Sequence, residues 1–260
     1  MPKKRSVGSP RRPVALVTGV TGEIGQAVVR RLWHAEVGVL GLYGRSRAQA
    51  VRLEREAREG GHEIALHSVD FRSAEAARHR VREIAGLERS LWGRITAFLG
   101  LAGYPARGVW RQPFARHAPR LFEDIYRVDT LSQVWVAQIL ASGLRRRRGR
   151  IVLMSSSAGL TGDELGIPFA LAKAANVALV KSLARILAPQ VSVNGIAPGA
   201  IDTAWLQELT PAQRRRARSL AALRRYGKPE EVAELAYQLA FGGFGFLTGE
   251  VLLMNGGANL

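Results

Sequence analysis

Residues 14–25 read VALVTGVTGEIG, and this stretch decides the fold. Its first part, from Val14 to Thr18, is a short apolar run that ends in glycines, which is typical of a buried β-strand. Apolar residues then recur at helical spacing over residues 23–35. The stretch therefore predicts a strand, a glycine turn and a helix in direct succession.

The glycine turn contains Gly19, Gly22 and Gly25. Glycines at such a turn let the backbone approach a pyrophosphate closely, and the N-terminus of the following helix attracts its negative charge. Glycine spacing alone is weak support, but the strand–turn–helix context is the one that such a site requires. The turn therefore predicts a dinucleotide-binding site.

The second predicted strand is not followed by the acidic residue that usually binds the ribose hydroxyls of NAD. The chain instead has Arg45, Ser46 and Arg47 at this point. An arginine suits the 2′-phosphate of NADP because its guanidinium forms paired, charge-assisted hydrogen bonds. We therefore expect NADP(H) as the cofactor, although Arg47 is also compatible with an ordinary surface position.

Apolar strand patterns alternate with amphipathic helix patterns along the rest of the chain. The predicted strands cover residues 37–43, 64–69, 95–101, 150–155, 191–197 and 251–254. The predicted helices cover residues 46–59, 73–86, 119–144, 168–187 and 229–240. Continuously apolar strands that alternate with helices indicate a parallel sheet covered on both faces.

We therefore expect one α/β domain over residues 13–260, a Rossmann-like doubly wound parallel sheet with helices on both faces. The long stretch at about residues 199–227 shows no clear pattern, and we interpret it as an irregular lid. Residues 1–12 are basic and rich in proline, glycine and serine, which predicts a disordered tail.

The composition is that of an ordinary globular protein. Of the 260 residues, 47% are hydrophobic and 23% are charged, so a disordered or collagen-like chain does not fit. No run of eighteen apolar residues occurs, and we expect no membrane segment. Cysteine is absent, which excludes disulfides and thiolate metal sites and suits a reducing cytosol. We therefore expect a cytoplasmic protein without a bound metal.

The net charge of +17 is concentrated in three clusters. They are the bases of the tail up to Arg12, the run from Arg145 to Arg150, and the bases from Arg214 to Lys228. Elsewhere basic and acidic residues balance, so the excess is local and favours an anionic partner at particular surfaces. Solubilising surface arginines are an equally good interpretation. No aromatic-rich binding motif accompanies the clusters, so nucleic acid is the weaker choice of partner.

Further landmarks follow the glycine turn. They are Asp70 after the third strand, Ala102-Gly103 after the fourth, Ser156 thirteen residues before position 169, Lys173 four residues after it, Asn194, Pro198-Gly199, Thr203, and the segments GKPEEV at 227–232, LTGE at 247–250 and NGG at 255–257. With these landmarks the chain resembles the short-chain dehydrogenase/reductase family over residues 13–260. Its C-terminal part is very similar to that of 3-oxoacyl-carrier-protein reductases.

The resemblance implies a set of site residues. Ser156, Lys173 and Asp129 take the catalytic positions, with Phe169 at the family's tyrosine position. The implied cofactor-binding residues are Gly19, Thr21, Gly22, Ile24, Gly25, Arg45, Ser46, Asp70, Phe71, Ala102, Gly103, Lys173, Pro198, Gly199, Ile201 and Thr203.

Four positions depart from the family pattern. Phe169 replaces the tyrosine, and Asp129 replaces the asparagine that usually completes the tetrad. The Asn-Asn-Ala-Gly motif has become GLAG at residues 100–103, and Glu23 takes the middle-glycine position of the family's shorter branch. These departures concern the chemistry more than the fold.

The loss of the tyrosine removes the family's proton donor. Ketone reduction needs a hydride on carbon and a proton on oxygen, and phenylalanine has no proton to give. General acid catalysis contributes roughly 10² to 10⁴ in rate. Tyr104, Asp163 and Glu164 are substitute donors by position, but each is more simply a wall residue. Asp129 is either a buried acid or the partner of a neighbouring cation.

Several functions therefore remain open. The first is an NADP(H)-binding oxidoreductase that resembles 3-ketoacyl-carrier-protein reductases, with impaired or atypical proton donation. The second is a catalytically inactive subunit that partners an active reductase. The third is a non-redox dehydratase or isomerase that acts on an acyl thioester through Asp129, Asp163 or Glu164. Under the resemblance, the expected partners are an acyl thioester on an acidic carrier protein or CoA, and a homo- or hetero-oligomer, dimeric or tetrameric.

Overall fold

Seven parallel strands form one sheet in the order β3-β2-β1-β4-β5-β6-β7. The computed structural model describes residues 12–105 and 108–259, so all of the predicted tail except Arg12 lies outside the described residues. The strands are β1 Val14–Thr18, β2 Gly38–Tyr43, β3 Ile64–Ser68, β4 Ile95–Gly100, β5 Arg150–Met154, β6 Ser192–Pro198 and β7 Val251–Met254. This order confirms the predicted doubly wound α/β fold.

Helices cover both faces of the sheet. They are α1 Glu23–His34, α2 Arg47–Gly60, α3 Ala74–Leu87, α4 Arg89–Trp92, α5 Pro119–Tyr126, α6 Ser132–Arg147, α7 Ala158–Thr161, α8 Ile167–Leu187, α9 Pro211–Leu220 and α10 Pro229–Phe241. The apolar faces of α1, α2 and α10 pack on one side of the sheet, and those of α3, α6 and α8 pack on the other.

Strand β1 explains why the sequence needs two helical layers. Val14 and Leu16 belong to one core cluster, whereas Ala15 and Val17 belong to the other, and all four are completely buried. Side chains of a strand alternate between the two faces of its sheet, so a strand that is apolar at every position must be covered twice. The continuous apolar run is thus the direct cause of the three-layer architecture.

The helix predicted over residues 119–144 is interrupted. Residues Arg127–Leu131 form a π-helical turn that separates α5 from α6. Such turns insert one extra residue into a helix and are frequent at functional sites. This turn carries Asp129, which is 1% exposed, so the interruption directs a carboxylate into the protein interior.

Residues 199–227, called the lid segment below, are not irregular throughout as the sequence pattern suggested. This lid segment contains a 3₁₀ helix at Ala204–Glu208 and the ten-residue helix α9. Thr210 caps α9 reciprocally with Gln213, each side chain accepting from the other's backbone N–H. A threonine followed by proline and, three residues on, by glutamine is a recognised helix start, and it was available in the sequence.

Helix α8 is long and apolar enough to match a membrane-spanning helix by length and composition alone. In the fold it packs against β6 and α5, and it buries Lys173 and Asn176. These contacts explain its apolar composition as that of a core helix.

Candidate active site

The carboxyl ends of β1 and β4 meet where the strand order reverses direction. Thr18 ends β1, and its Oγ1 accepts hydrogen bonds from the backbone N–H groups of Leu101 (3.1 Å) and Ala102 (3.2 Å). In doubly wound sheets, ligands bind in the crevice outside the strand ends at this switch point. The buried Thr18 hydroxyl therefore fixes the two walls of the crevice relative to each other.

The glycine turn is packed too tightly for a side chain at Gly19 or Gly25. A Cβ on Gly25 would lie 2.1 Å from the carbonyl oxygen of Gly19. Gly19 has a φ of +73°, and a Cβ there would lie 2.8 Å from the carbonyl oxygen of Leu101. The backbone can adopt this left-handed geometry and close approach only with glycine. The turn thus presents bare backbone to the crevice, as a diphosphate requires.

The crevice is a cleft of about 470 Å³, called the main cleft below. The predicted cofactor residues that line it are Gly19, Thr21, Gly22, Ile24, Gly25, Arg45, Ser46, Asp70, Phe71, Ala102, Gly103 and Thr203. Four predicted residues are not among those lining it: Lys173, Pro198, Gly199 and Ile201. Pro198 ends β6, Gly199 packs against Asn255, and Ile201 pairs with Gly227.

Three arginines lie at the outer end of the main cleft. A second cavity of about 690 Å³ adjoins the cleft there and is lined by Arg45, Arg47 and Arg72 and by the acids Glu54 and Asp70. Ser46 is the N-cap of α2 and its side chain makes no capping hydrogen bond. The N-terminus of a 14-residue helix and these arginines together form a site suited to an anion.

Asp70 is held by Arg72 at this end of the cleft. The Arg72 guanidinium donates to both Asp70 carboxylate oxygens, and the Arg72 backbone N–H donates to Oδ1 at 3.0 Å. These hydrogen bonds lower the pKa of Asp70 to about 2. The carboxylate is thus ionised at neutral pH and is already paired before any ligand arrives.

A buried ion pair lies next to the main cleft, although neither of its residues lines the cleft. Nζ of Lys173 lies 2.9 Å from Oδ2 of Asp129, and their side chains are 5% and 1% exposed. Oδ1 of Asp129 accepts a 2.6 Å hydrogen bond from the backbone N–H of Tyr104, which lines the main cleft. Of the two interpretations of Asp129, the structure supports the partner of a neighbouring cation.

Asn176 holds this pair in place. Its Nδ2 donates to the carbonyl oxygens of Asp129 (2.9 Å) and Met154 (3.0 Å), so one amide ties the π-helical turn to the end of β5. Asn176 was not predicted from the sequence. It could have been found there, because it lies three residues after Lys173 and thus one helical turn further along α8.

Phe169 lies beside Lys173 but belongs to an aromatic cluster. Nζ of Lys173 is 5.3 Å from the Phe169 ring centroid, and Trp110 packs edge-on against the same ring at 5.4 Å. Trp110 in turn packs edge-on against Trp205 at 5.0 Å, and Trp205 lines the main cleft. Phe169 is thus part of an apolar cluster that reaches the main cleft through Trp205.

Ser156 lies between β5 and α7, close to the strand ends. Its Oγ accepts a hydrogen bond from the backbone N–H of Ala158 at 3.2 Å and lies 3.5 Å from the carbonyl oxygen of Pro198. The preceding Ser155 donates to the backbone carbonyl of Lys173 at 2.7 Å. Ser156 is therefore anchored to the same turn of α8 that carries Lys173.

The substitute proton donors Asp163 and Glu164 are engaged elsewhere. Asp163 accepts from the backbone N–H groups of Leu165 and Gly166 and from the Trp110 indole. The Glu164 side chain is 76% exposed and pairs with Arg216 of α9. The structure therefore assigns the first of these carboxylates to a turn and the second to the surface.

Glu23 is a further residue whose role the sequence analysis did not foresee. Its carboxylate accepts a 2.6 Å hydrogen bond from the backbone N–H of Ala204 in the lid segment. Glu23 and the neighbouring Thr203 both line the main cleft. The signal in the sequence was an acidic residue within the glycine turn.

Comparisons with known proteins agree with this geometry. The family model described as enoyl-(acyl carrier protein) reductase matches residues 19–259. The 3-oxoacyl-[acyl-carrier-protein] reductase of Aquifex aeolicus is 32% identical, over 94% of this chain and 96% of its own. The 2,3-dihydroxy-2,3-dihydro-p-cumate dehydrogenase of Pseudomonas putida is 30% identical, over 95% of this chain and 94% of its own.

A solved structure has the same architecture. The short-chain dehydrogenase/reductase from Serratia marcescens superposes with a TM-score of 0.82 at 26% identity, covering 97% of this chain and 100% of that chain. The chain thus shares its fold with this solved structure.

Proposed function

The chain belongs to the short-chain dehydrogenase/reductase family, and on that premise we propose that it is an NADP(H)-dependent oxidoreductase with an atypical proton route. It resembles ketoacyl-carrier-protein reductases, and such reductases occur among its relatives. The proposed substrate is a β-ketoacyl thioester carried by an acidic carrier protein or by CoA. The proposed assembly is a dimer or tetramer, with like or unlike subunits.

The observation that carries this proposal is the convergence of the cofactor residues on one cleft. The glycine turn, held close by Gly25 and Gly19, fits a diphosphate. Arg45, Ser46 and the N-terminus of α2 fit a 2′-phosphate, and no acid directly follows β2 to bind free ribose hydroxyls. These features support NADP(H) over NAD(H).

The bound cofactor would supply the hydride, and the protein must then supply the proton. Ser156 is the residue that can donate a hydrogen bond to a substrate carbonyl oxygen and polarise it. Phe169 has no exchangeable proton, so the proton comes from solvent or from another donor at the cleft. General acid catalysis is worth roughly 10² to 10⁴ in rate, and we expect turnover to be slow by about that factor.

The Asp129–Lys173 pair adds a second cause of slow turnover. A lysine cation favours the ionised form of a neighbouring acid. Here the Asp129 carboxylate, 2.9 Å from Nζ, offsets that charge. The pair is therefore a structural support for the cleft wall through Tyr104 rather than an activating cation.

The test is NADPH oxidation with acetoacetyl-CoA as substrate, in the wild type and in two serine variants. We expect slow but measurable oxidation, and Ser156→Ala to lower it by about tenfold to a hundredfold because the carbonyl loses its hydrogen bond. Ser157→Ala is the matched control, since that neighbouring side chain caps no helix N–H group. Equal rates in the two variants would remove Ser156 from the mechanism.

A second candidate is a cofactor-binding subunit that partners an active reductase. Phe169, packed against Trp110, favours it because that ring is part of an apolar cluster and offers no proton. Purification from the native host separates the two proposals. A homomer that oxidises NADPH supports the enzyme, and a particle that also contains a relative with the family's tyrosine supports the subunit.

A further inference from the structure

Glu23 stands at the place where a dinucleotide's negative charge is expected. It is the first residue of α1, and the preceding Gly22 provides no side-chain cap. The free N–H groups at the start of a helix, together with the helix dipole, attract an anion. Glu23 is the only acidic residue in that first turn, so the protein carries its own anion there.

The Glu23 carboxylate also reaches the opposite wall of the main cleft. Its Oε2 accepts the 2.6 Å hydrogen bond from Ala204, although the two residues are 181 positions apart in the chain. Ala204 begins the 3₁₀ helix of the lid segment, and its N-cap Thr203 makes no side-chain capping bond. Glu23 therefore supplies, from across the cleft, the cap that the 3₁₀ helix lacks.

This contact matters because the 3₁₀ helix forms part of the cleft. Trp205 lines the main cleft, and Leu206 is buried in the aromatic cluster. A carboxylate that holds Ala204 therefore holds this wall against the glycine turn. A diphosphate seated at the glycine turn would meet the like charge of the Glu23 carboxylate. It would also compete with that carboxylate for the backbone N–H of Ala204.

We propose that Glu23 sets the cofactor affinity of this protein by fastening the lid segment across the main cleft and repelling the diphosphate until that contact opens. This inference rests on the proposed function, because it places a dinucleotide in the main cleft. It assigns Glu23 a positioning role and no part in hydride transfer.

The test compares NADPH binding by calorimetric titration in the wild type, Glu23→Gln and Glu23→Gly. Glu23→Gln removes the charge but keeps an acceptor for Ala204, whereas Glu23→Gly removes both. We expect Glu23→Gln to bind NADPH about fivefold more tightly, because one exposed like-charge repulsion is lost, and Glu23→Gly to bind more tightly still, because the contact with Ala204 is lost as well. Glu230→Gln is the matched control, since it also removes an exposed acid from the first turn of a helix, outside the main cleft.

Hydrogen exchange at the Ala204 amide gives a second readout in the ligand-free proteins. We expect faster exchange in Glu23→Gly and an unchanged rate in Glu230→Gln, since only the former loses the acceptor. Thermal midpoints within a few degrees of the wild type would show that the variants are folded.

The outcomes separate the inference from the proposed function. Tighter binding in both Glu23 variants with faster Ala204 exchange in Glu23→Gly supports the inference, and so does NADPH binding that appears only when Glu23 is removed. Equal affinities in all four proteins would overturn the inference while the proposed cofactor stands. Absence of dinucleotide binding in every protein would overturn both.

Discussion

At the scale of single residues, the sequence predicted candidate residues but not what surrounds them. Phe169 and Lys173 could be expected on one face of a helix, because residues four apart in a helix share a face. The ion pair between Lys173 and Asp129 depends on a π-helical turn, which no spacing rule predicts. The aromatic partner Trp110 is likewise brought to Phe169 by the fold alone, from nearly sixty residues away.

This ion pair leads to a prediction about restoring the tyrosine. Phe169→Tyr alone should raise NADPH oxidation only several-fold, because the Asp129 carboxylate offsets the charge of Lys173 that would activate the new phenol. Phe169→Tyr combined with Asp129→Asn should recover more of the roughly 10² to 10⁴ that a general acid provides. Turnover is measured for both single variants and the double variant, with unfolding midpoints to confirm that each folds.

A double variant no faster than Phe169→Tyr alone would show that Asp129 does not restrain the site. An Asp129→Asn variant that already reaches the turnover of the double variant would show that the new phenol is not the proton donor.

At the scale of elements, the boundaries of most strands and helices followed from apolar patterning, because β1 and its neighbours are buried on both faces. The errors arose where local chemistry overrides that pattern. Helix α9 buries none of its residues, so no apolar stripe marks it, and its start is set by the Thr210–Gln213 cap. The residues between α5 and α6 continue the helical pattern of the sequence, so the pattern did not reveal their π-helical geometry.

The tight packing of the glycine turn predicts a large difference between two glycine substitutions. Gly25→Ala should lower the free energy of unfolding by about 2–3 kcal/mol or more and weaken dinucleotide binding, since its Cβ would lie 2.1 Å from the Gly19 oxygen. Gly86→Ala is the control in α3, where a Cβ meets nothing within 4 Å. It should stabilise the protein by about 0.5–1 kcal/mol. Urea unfolding measures both, and similar effects at the two positions would contradict the close packing.

The start of α10 predicts a dependence of stability on pH. The Arg225 guanidinium and the Lys228 backbone N–H both donate to Glu231 and lower its pKa to about 2. A depressed pKa stabilises the folded state above the unfolded value of 4.5, and this contribution is lost as pH falls toward 2. Because both side chains are partly exposed, we expect only a small contribution to stability from this pair.

The measurement is urea unfolding of the wild type and Glu231→Gln between pH 7 and pH 3. The two proteins should differ at pH 7 and converge as the solution becomes acidic. Glu230→Gln, at the neighbouring first-turn position, is the control that should show no such convergence. A difference that is constant with pH would exclude ionised Glu231 as its source.

At the scale of the whole molecule, the fold class and the location of the cleft could be predicted because strand order and glycine turn are encoded locally. The clustering of basic residues could also be predicted from the sequence. Only the fold determines which of these arginines are hydrogen-bonded within the chain and which are available to a partner. At the end of α6, Arg145 donates to the Ile186 carbonyl and Arg147 to that of Gly143. Arg146 and Arg148 are exposed, and their side chains make no hydrogen bond or ion pair within the described residues.

These two arginines are therefore the ones to test for docking of an acidic carrier protein. Arg146→Gln with Arg148→Asn should weaken carrier binding several-fold and flatten its dependence on salt, because exposed charges act through screened attraction. Asparagine replaces Arg148 because the backbone at this position has a φ of +52°, and asparagine tolerates that left-handed conformation. Arg52→Gln with Arg82→Gln removes the same charge from other exposed helix positions, and equal losses in both pairs would point to net charge instead of a docking surface.

The edge-on contact between Trp110 and Trp205 links the intrinsic tryptophan fluorescence of the protein to the main cleft. Trp205 borders the main cleft, while Trp110 joins it to the ring at position 169. Indole emission responds to the polarity around it, and reduced nicotinamide absorbs light in the range that indole emits. Quenching of the intrinsic fluorescence would therefore report in real time when the cleft fills and when the lid segment shifts, without an attached dye.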